Sequence, residues 1–184
     1  MKLIIITWLP WTGKTSLWKK ISEDFRIPMY SKDSFKEIIY DCIWKKDVIG
    51  NIKITQAAYQ ILYHILEQNF KSDKSIILES NFYKDFSEKV FLEFKNKYIF
   101  DILQIKCITE GKALFERFKN RSFSGERHSW HDDVNSIDHF KEIALKWDFD
   151  KLDIWWIFTE IDTTNFERIN YWELYNKLDI FLNK

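Results

Sequence analysis

The chain has 184 residues, 46% of them hydrophobic and 30% charged, with 28 basic residues against 28 acidic ones. This describes one globular domain, 1–184, with room for a real core, and it excludes disorder, collagen and coiled coil. A formal net charge of zero gives no overall attraction to nucleic acid or an anionic membrane. The two cysteines, Cys42 and Cys107, cannot build a disulfide framework, and no apolar run approaches the roughly 20 residues of a membrane span. Met1 to Thr7 lacks the cleavage pattern of a signal peptide, so a cytoplasmic setting is the expectation.

In chain order, Lys2 to Thr7 is a continuous β-branched run that suits a buried parallel strand. Leu17, Ile21 and Phe25, four apart, predict a helix over Lys14 to Phe25. Ile27 to Tyr30 reads as a second strand, and Ser34 with Glu37 has the spacing of a capping box opening a helix to about Ile43. Asn51 to Lys71 carries Ile54, Ala58, Ile61, Leu62 and Ile65 as a broad apolar stripe. Ser75 to Leu78 reads as strand, Asp85 to Lys97 as an amphipathic helix, Ile102 to Ile108 as strand and about Glu110 to Asn120 as helix. Arg121 to Asn135 is polar with few helix signals, and Ser136 caps a short helix to Lys146. Ile154 to Ile161 makes a fifth strand, and Asn170 with Glu173 opens a final helix bearing Leu174, Tyr175, Leu178 and Phe181. The alternation predicts an α/β fold with a mostly parallel five-stranded sheet.

Between the first strand and first helix lies Trp8-Leu9-Pro10-Trp11-Thr12-Gly13-Lys14-Thr15-Ser16. This is where a phosphate-binding loop belongs, and apart from Trp8 it satisfies G-x-x-x-x-G-K-[ST]. Such a loop turns backbone N–H groups around a phosphate at a helix start, with the lysine on phosphate oxygens and the hydroxyl on Mg²⁺. The chain has 4 glycines beside 9 tryptophans, where average usage predicts roughly 13 glycines. Trp8, Trp11, Trp18, Trp44, Trp130, Trp147, Trp155 and Trp156 stand at places that tolerate or require glycine; Trp147, for instance, follows a helix at the position a left-handed residue usually occupies. Reading these eight as glycine restores a glycine share near the average of about 7%. The expectation is that they are UGA codons decoded as glycine in the source organism. The alternative is a genuinely Trp-rich chain with a filled loop, an ATP-incompetent binding protein.

With glycine at 8 and 11 the loop reads GLPGTGKTS, and the chain resembles the P-loop small-molecule kinases labelled AAA-family ATP-binding proteins. Their relatives include chloramphenicol phosphotransferase, zeta-toxin-type kinases and polynucleotide 5′-kinases. The resemblance runs from Lys2 to about Tyr175. It also rests on Ser31-Lys32-Asp33, on Leu78-Glu79-Ser80-Asn81-Phe82, on Ser124-Gly125-Glu126-Arg127-His128-Ser129-Trp130-His131, and on Ile161-Asp162-Thr163-Thr164. It implies strand order 2-3-1-4-5, helices on both faces, and a lid over 121–135 between strands four and five.

The resemblance further implies ATP and Mg²⁺ as cofactors and a small-molecule hydroxyl as phosphate acceptor. Nucleotide contacts fall on residues 8 to 16, Arg117 and Asp162, and the metal on Thr15 and Glu79. Asp33 is the candidate general base, although a carboxylate early in a helix is also favoured by the dipole alone. Glu79 and Asn81 can equally be a strand-end turn and a helix cap. Arg117 and Arg121 share a helix face, and with Arg127 they place three of five arginines within eleven residues. This suits a lid that neutralises transferring phosphate, with Lys14, Arg121 and Arg127 in catalytic roles; a solvated helix end paired with Glu116 and Glu126 is the plainer alternative. His128, His131 and His139 with Asp132 and Asp133 lack a zinc spacing. No membrane partner or basic groove for nucleic acid is evident, and a monomer or weak dimer is expected. A nucleotide-dependent regulatory ATPase remains the alternative within the same fold.

Overall fold

The computed structural model describes residues 1–7, 12–43, 48–123, 128, 141, 152 and 157–183. The elements are β1 (Lys2–Thr7), α1 (Lys14–Phe25), β2 (Met29–Ser31), α2 (Lys32–Ile43), α3 (Val48–Lys71), β3 (Ile76–Glu79), α4 (Lys84–Lys97), β4 (Asp101–Ile108), α5 (Gly111–Ser122), β5 (Ile157–Asp162), a 3₁₀ turn (Phe166–Arg168) and α6 (Tyr171–Asn183). The strands form one five-stranded sheet in the order β2-β3-β1-β4-β5, and every pairing is parallel. Both the class and the order match the sequence expectation.

A parallel sheet must be covered on both faces, and β1 shows why this one is. Leu3 and Ile5 face one core with Ile76, Leu78 and Ile102, over Leu62, Leu66 and Phe70 of α3 and Phe91 and Phe94 of α4. Ile4 and Ile6 face the other with Ile77, Leu103 and Ile105, over Leu17, Trp18 and Ile21 of α1 and Leu174, Leu178 and Phe181 of α6. Burying each such side chain contributes about 1.5–3 kcal/mol.

The boundaries differ from expectation at two instructive places. Helix α2 begins at Lys32, directly after β2, so Ser34 is inside the helix and does not cap it. The buried stripe of α3 is Ile54, Ala58, Leu62, Leu66 and Phe70, whereas Ile61 is exposed. Strict steps of four residues keep one face on the sheet, and Ile61 falls off that face. The Asn170 cap is as expected: Asn170 Oδ1 accepts from Glu173 N at 3.2 Å and Asn170 Nδ2 donates to Glu173 Oε2 at 3.3 Å. Most of the lid segment and the Ser136 to Lys146 helix lie outside the described residues.

Candidate active site

The carboxyl ends of β1, β2, β3, β4 and β5 share one edge of the sheet, where ligands of open α/β sheets bind. At its centre β1 hands over to α1. Gly13, the residue before α1, takes φ 76°, a left-handed conformation that penalises any residue with a Cβ. Space gives a second reason for glycine here: a Cβ at 13 would lie 1.9 Å from Phe166 Cζ. Gly13 offers α1 no side-chain cap, and the N-terminus of a helix carries the positive end of its dipole, which draws anions.

Lys14, the first residue of α1, is buried, and its Nζ stands 3.6 Å from Glu79 Oε1 at the end of β3. Ser31 Oγ, at the end of β2, donates to Glu79 Oε2 at 2.5 Å. The register explains the meeting, because Glu79 is level with both Ile6 of β1 and Ser31 of β2. A buried carboxylate is tolerated only when paired and hydrogen-bonded, and Glu79 is both. Thr15 follows on the exposed side of the helix start.

Beside this pair lies a second one. Lys32 Nζ is 3.3 Å from Asp33 Oδ1, with the lysine side chain 10% exposed and the aspartate 47% exposed. Burial disfavours the Lys32 ammonium, but Asp33 first, then Tyr59 and Glu79, outweigh it and hold its pKa above the ordinary lysine value. The ammonium also lies 5.5 Å over the Tyr59 ring. Tyr59, on α3, accepts from Ser80 Oγ at 3.0 Å and donates to Asn81 O at 2.7 Å. Burial raises the phenol's pKa, which keeps it a donor.

The other flank of the edge is built by α5 and the loop after β5. Arg117 Nη2 donates to Thr163 O at 2.7 Å and Thr164 O at 2.8 Å. Its guanidinium lies 4.4 Å over the Phe166 ring. Arg117 Nη1 is buried with no hydrogen-bond partner among the described residues, and burial lowers the pKa of the group against the opposing pull of Asp162. Asp162 Oδ1 accepts from Thr164 N at 2.8 Å; hydrogen bonds from Thr164, with Arg117 adding to them, hold its carboxyl below the usual range. Thr163 ties the loop to β4 through its N–H and its hydroxyl, both donating to Ile108 O.

The structure therefore brings together Thr12, Gly13, Lys14, Asp33 and Glu79 on one side and Arg117 and Asp162 on the other. Arg121 stands in the last turn of α5. Trp8, Leu9, Pro10, Trp11 and Arg127 lie outside the described residues, as does the side chain of Ser16. Ser31, Lys32, Tyr59 and Phe166 join the site without having been assigned a role from sequence. For Lys32 the signal was its position beside Asp33; for Phe166 there was none, since one aromatic in a polar loop has no periodicity. Trp18 is fully buried in the core under α1, so this indole is packed rather than displaced. Its Nε1 has no hydrogen-bond partner among the described residues except the weak interaction with the Cys107 thiol, whose pKa burial pushes up to about 12. Trp44, Trp130, Trp147, Trp155 and Trp156 are outside the described residues.

The nearby histidine of the lid motif, His128, is 3.0 Å from Asp41 Oδ1 and meets the Tyr40 ring edge-on. That places His128 against α2. Among the described residues, no helix is long and apolar enough to cross a membrane.

Solved structures share this fold. A proposed kinase from Chloroflexus aurantiacus J-10-fl is 28% identical, with a TM-score of 0.87 over 99% of this chain and 96% of that chain. A gluconokinase from Sinorhizobium meliloti 1021 is 12% identical, with a TM-score of 0.58 over 99% and 94%. A sugar kinase from Janibacter sp. HTCC2649 is 11% identical, with a TM-score of 0.57 over 99% and 94%. No family model matches the chain, and no curated protein matches it. The chain thus has the fold of the P-loop kinases. The likeness supports a nucleotide-binding kinase in general.

Proposed function

We propose that the protein binds ATP with Mg²⁺ and transfers the γ-phosphate to a hydroxyl of a small molecule. The observation that carries this reading is the start of α1: a left-handed Gly13 followed by Lys14, buried against Glu79 at the centre of the sheet edge. The residues present fit the nucleotide and the metal, because a helix N-terminus, a buried ammonium paired with a carboxylate, and the exposed hydroxyl of Thr15 at the helix start supply the donor set. The buried Arg117 Nη1, without a hydrogen-bond partner among the described residues, fits it too.

Bound Mg-ATP supplies the phosphoryl group and a metal that shields its oxygens. The chain supplies position and charge. The amides of residues 12 to 15 and Lys14 hold anionic oxygens, Thr15 and Glu79 hold the metal, and Arg117 with Asp162 borders the base. Asp33 accepts the proton of the attacking hydroxyl, and Arg121 with Arg127 of the lid offsets the charge that builds on the transferring group. Little covalent chemistry is required of the protein, so orientation and electrostatics carry the rate. Glycine at 8 and 11 belongs to this proposal, since two indoles would crowd a loop whose backbone must approach an anion.

The test compares the chain as written with a version carrying glycine at the eight suspect positions. Peptide mass spectrometry of the native protein is expected to read glycine at 8 and 11. Mg-ATP at a hundred times its dissociation constant is expected to stabilise the glycine version by about 2.7 kcal/mol. Radiolabelled γ-phosphate should then move to one member of a panel of sugars and other small alcohols. Tryptophan at both positions in the native protein, or no thermal shift with either version, overturns the proposal. Hydrolysis that is independent of any acceptor and unchanged in Asp33→Asn would make the protein a regulatory ATPase instead.

A further inference from the structure

The kinase reading gives Asp33 a task, and the surroundings of Asp33 point to a residue that performs none of the chemistry. We propose that Lys32 is a positioning residue, whose buried ammonium fixes the Asp33 carboxylate from beneath and presents it to the open sheet edge. This rests on the kinase reading only for the purpose of the positioning; the positioning itself is a claim about geometry.

Four observations carry it. First, exposure within the pair is unequal: the ammonium side is buried and the carboxylate side is half-exposed. That asymmetry is what an anchor below and a working group above would produce. Second, helix stability does not account for the lysine. A cation in the first turn of α2 opposes the helix dipole, and burying a lysine costs free energy unless a partner compensates. Third, residues i and i+1 on a helix do not face each other, so the 3.3 Å contact is not a by-product of helix geometry. Fourth, the surface on which Lys32 rests is itself tied down. The Tyr59 ring is bonded through its hydroxyl to Ser80 and Asn81, the two residues after Glu79. Lys32 thus joins α2, α3 and the end of β3 at one point. Glu79 adds to the charge that holds it, so Lys14, Glu79, Lys32 and Asp33 form two cations and two anions side by side. A plain structural lysine would need the pair only for folding, whereas a positioning lysine must act on turnover through Asp33.

The experiment uses the full chain with glycine at the eight suspect positions, together with Lys32→Met, Lys32→Arg, Asp33→Asn and the double variant Lys32→Met/Asp33→Asn. A crystal structure of the parent protein should show Asp33 in one conformer on Lys32, and the Lys32→Met structure should show it in several. Mg-ATP turnover, with water as acceptor, should fall about 10- to 100-fold in Lys32→Met, less than the roughly 10²–10⁴-fold that a proton-transfer group itself contributes. The KM for ATP should stay within about threefold, Lys32→Arg should recover most of the rate, and the double variant should be no slower than Asp33→Asn alone. Losses that multiply in the double variant, a rate unchanged in Lys32→Met, or a parent structure with Asp33 in two conformers overturns the positioning role. If Lys32→Met does not fold, the parent structure and the Lys32→Arg rate decide alone. Failure of the kinase reading is distinguishable, because it appears as absent Mg-ATP binding by calorimetry or as hydrolysis unchanged in Asp33→Asn, while the crystal comparison still reports on Lys32.

Discussion

The two flanks of the sheet edge solve the same problem in opposite ways. On the β2–β3 flank, buried Lys14 and Ser31 both meet buried Glu79, and buried Lys32 meets Asp33. On the β4–β5 flank, Arg117 holds a loop by its main-chain carbonyls, Phe166 is 37% exposed, and one donor has no partner among the described residues. A network of mutually satisfied buried charges is rigid and costly to break. A loop held by carbonyl contacts can shift and re-form at little cost. Where phosphate chemistry is proposed the molecule is fixed, and where a base is proposed to sit it retains play.

That contrast can be broken most forcefully on the rigid flank. Glu79→Ala strands the buried Lys14 ammonium and the Ser31 hydroxyl, and the loss of stability is expected at about 3–5 kcal/mol, read by urea denaturation. Gly13→Ala comes next. It places a Cβ at a positive φ and against Phe166, so about 1–3 kcal/mol should be lost, and Mg-ADP affinity should fall with it. In the double variant with Phe166→Ala the collision disappears and the backbone penalty remains, so part of the stability but not all of it returns.

On the adaptable flank the effects shrink. Arg117→Met removes two hydrogen bonds to carbonyls in a half-exposed setting and should cost about 1–2 kcal/mol, with hydrogen exchange quickening at Thr163 and Thr164 and not at Glu79. The smallest effect concerns acid. Asp162 has its pKa lowered in the folded protein relative to the ordinary 3.8, so its contribution to stability is fully present above that value and is lost as pH falls through the depressed one. Asp162→Asn should therefore flatten the stability profile below about pH 4 and leave it unchanged near neutrality.

Much of the rigid flank was legible in the sequence. The β-branched run before Gly13-Lys14-Thr15 and the glutamate closing β3 are local patterns, and the parallel sheet places them together without further information. Asn170 with Glu173 was equally legible because a cap is a contact between near neighbours. Ser34 with Glu37 has the same spacing but failed as a cap, since α2 starts directly off β2 and the lysine and aspartate are already inside it. The Tyr59 network and the Phe166 contacts were not legible. Tyr59 meets residues 21 and 22 positions away, and Phe166 meets Gly13 and Arg117 across the whole fold, and only tertiary packing decides such meetings. Trp18 marks the limit from the other side. A position that suits a small residue by local reasoning has been given a full indole in the core, with a polar nitrogen left poorly served.

The place of β1 in the sheet carries a consequence for how the protein is made. Within this sheet the strand translated first is the central one, and its neighbours are β3 at residues 76 to 79 and β4 at 101 to 108. Until residue 79 has been synthesised the apolar run of leucine and isoleucines has no partner on either side, and only at residue 108 does it have both. Long-range parallel pairing is slow, and strands left unpaired in the meantime are prone to aggregate. The start of α1, joined to β1 in the chain, is thus translated well before the β4 neighbour that completes the pairing at the centre of the sheet.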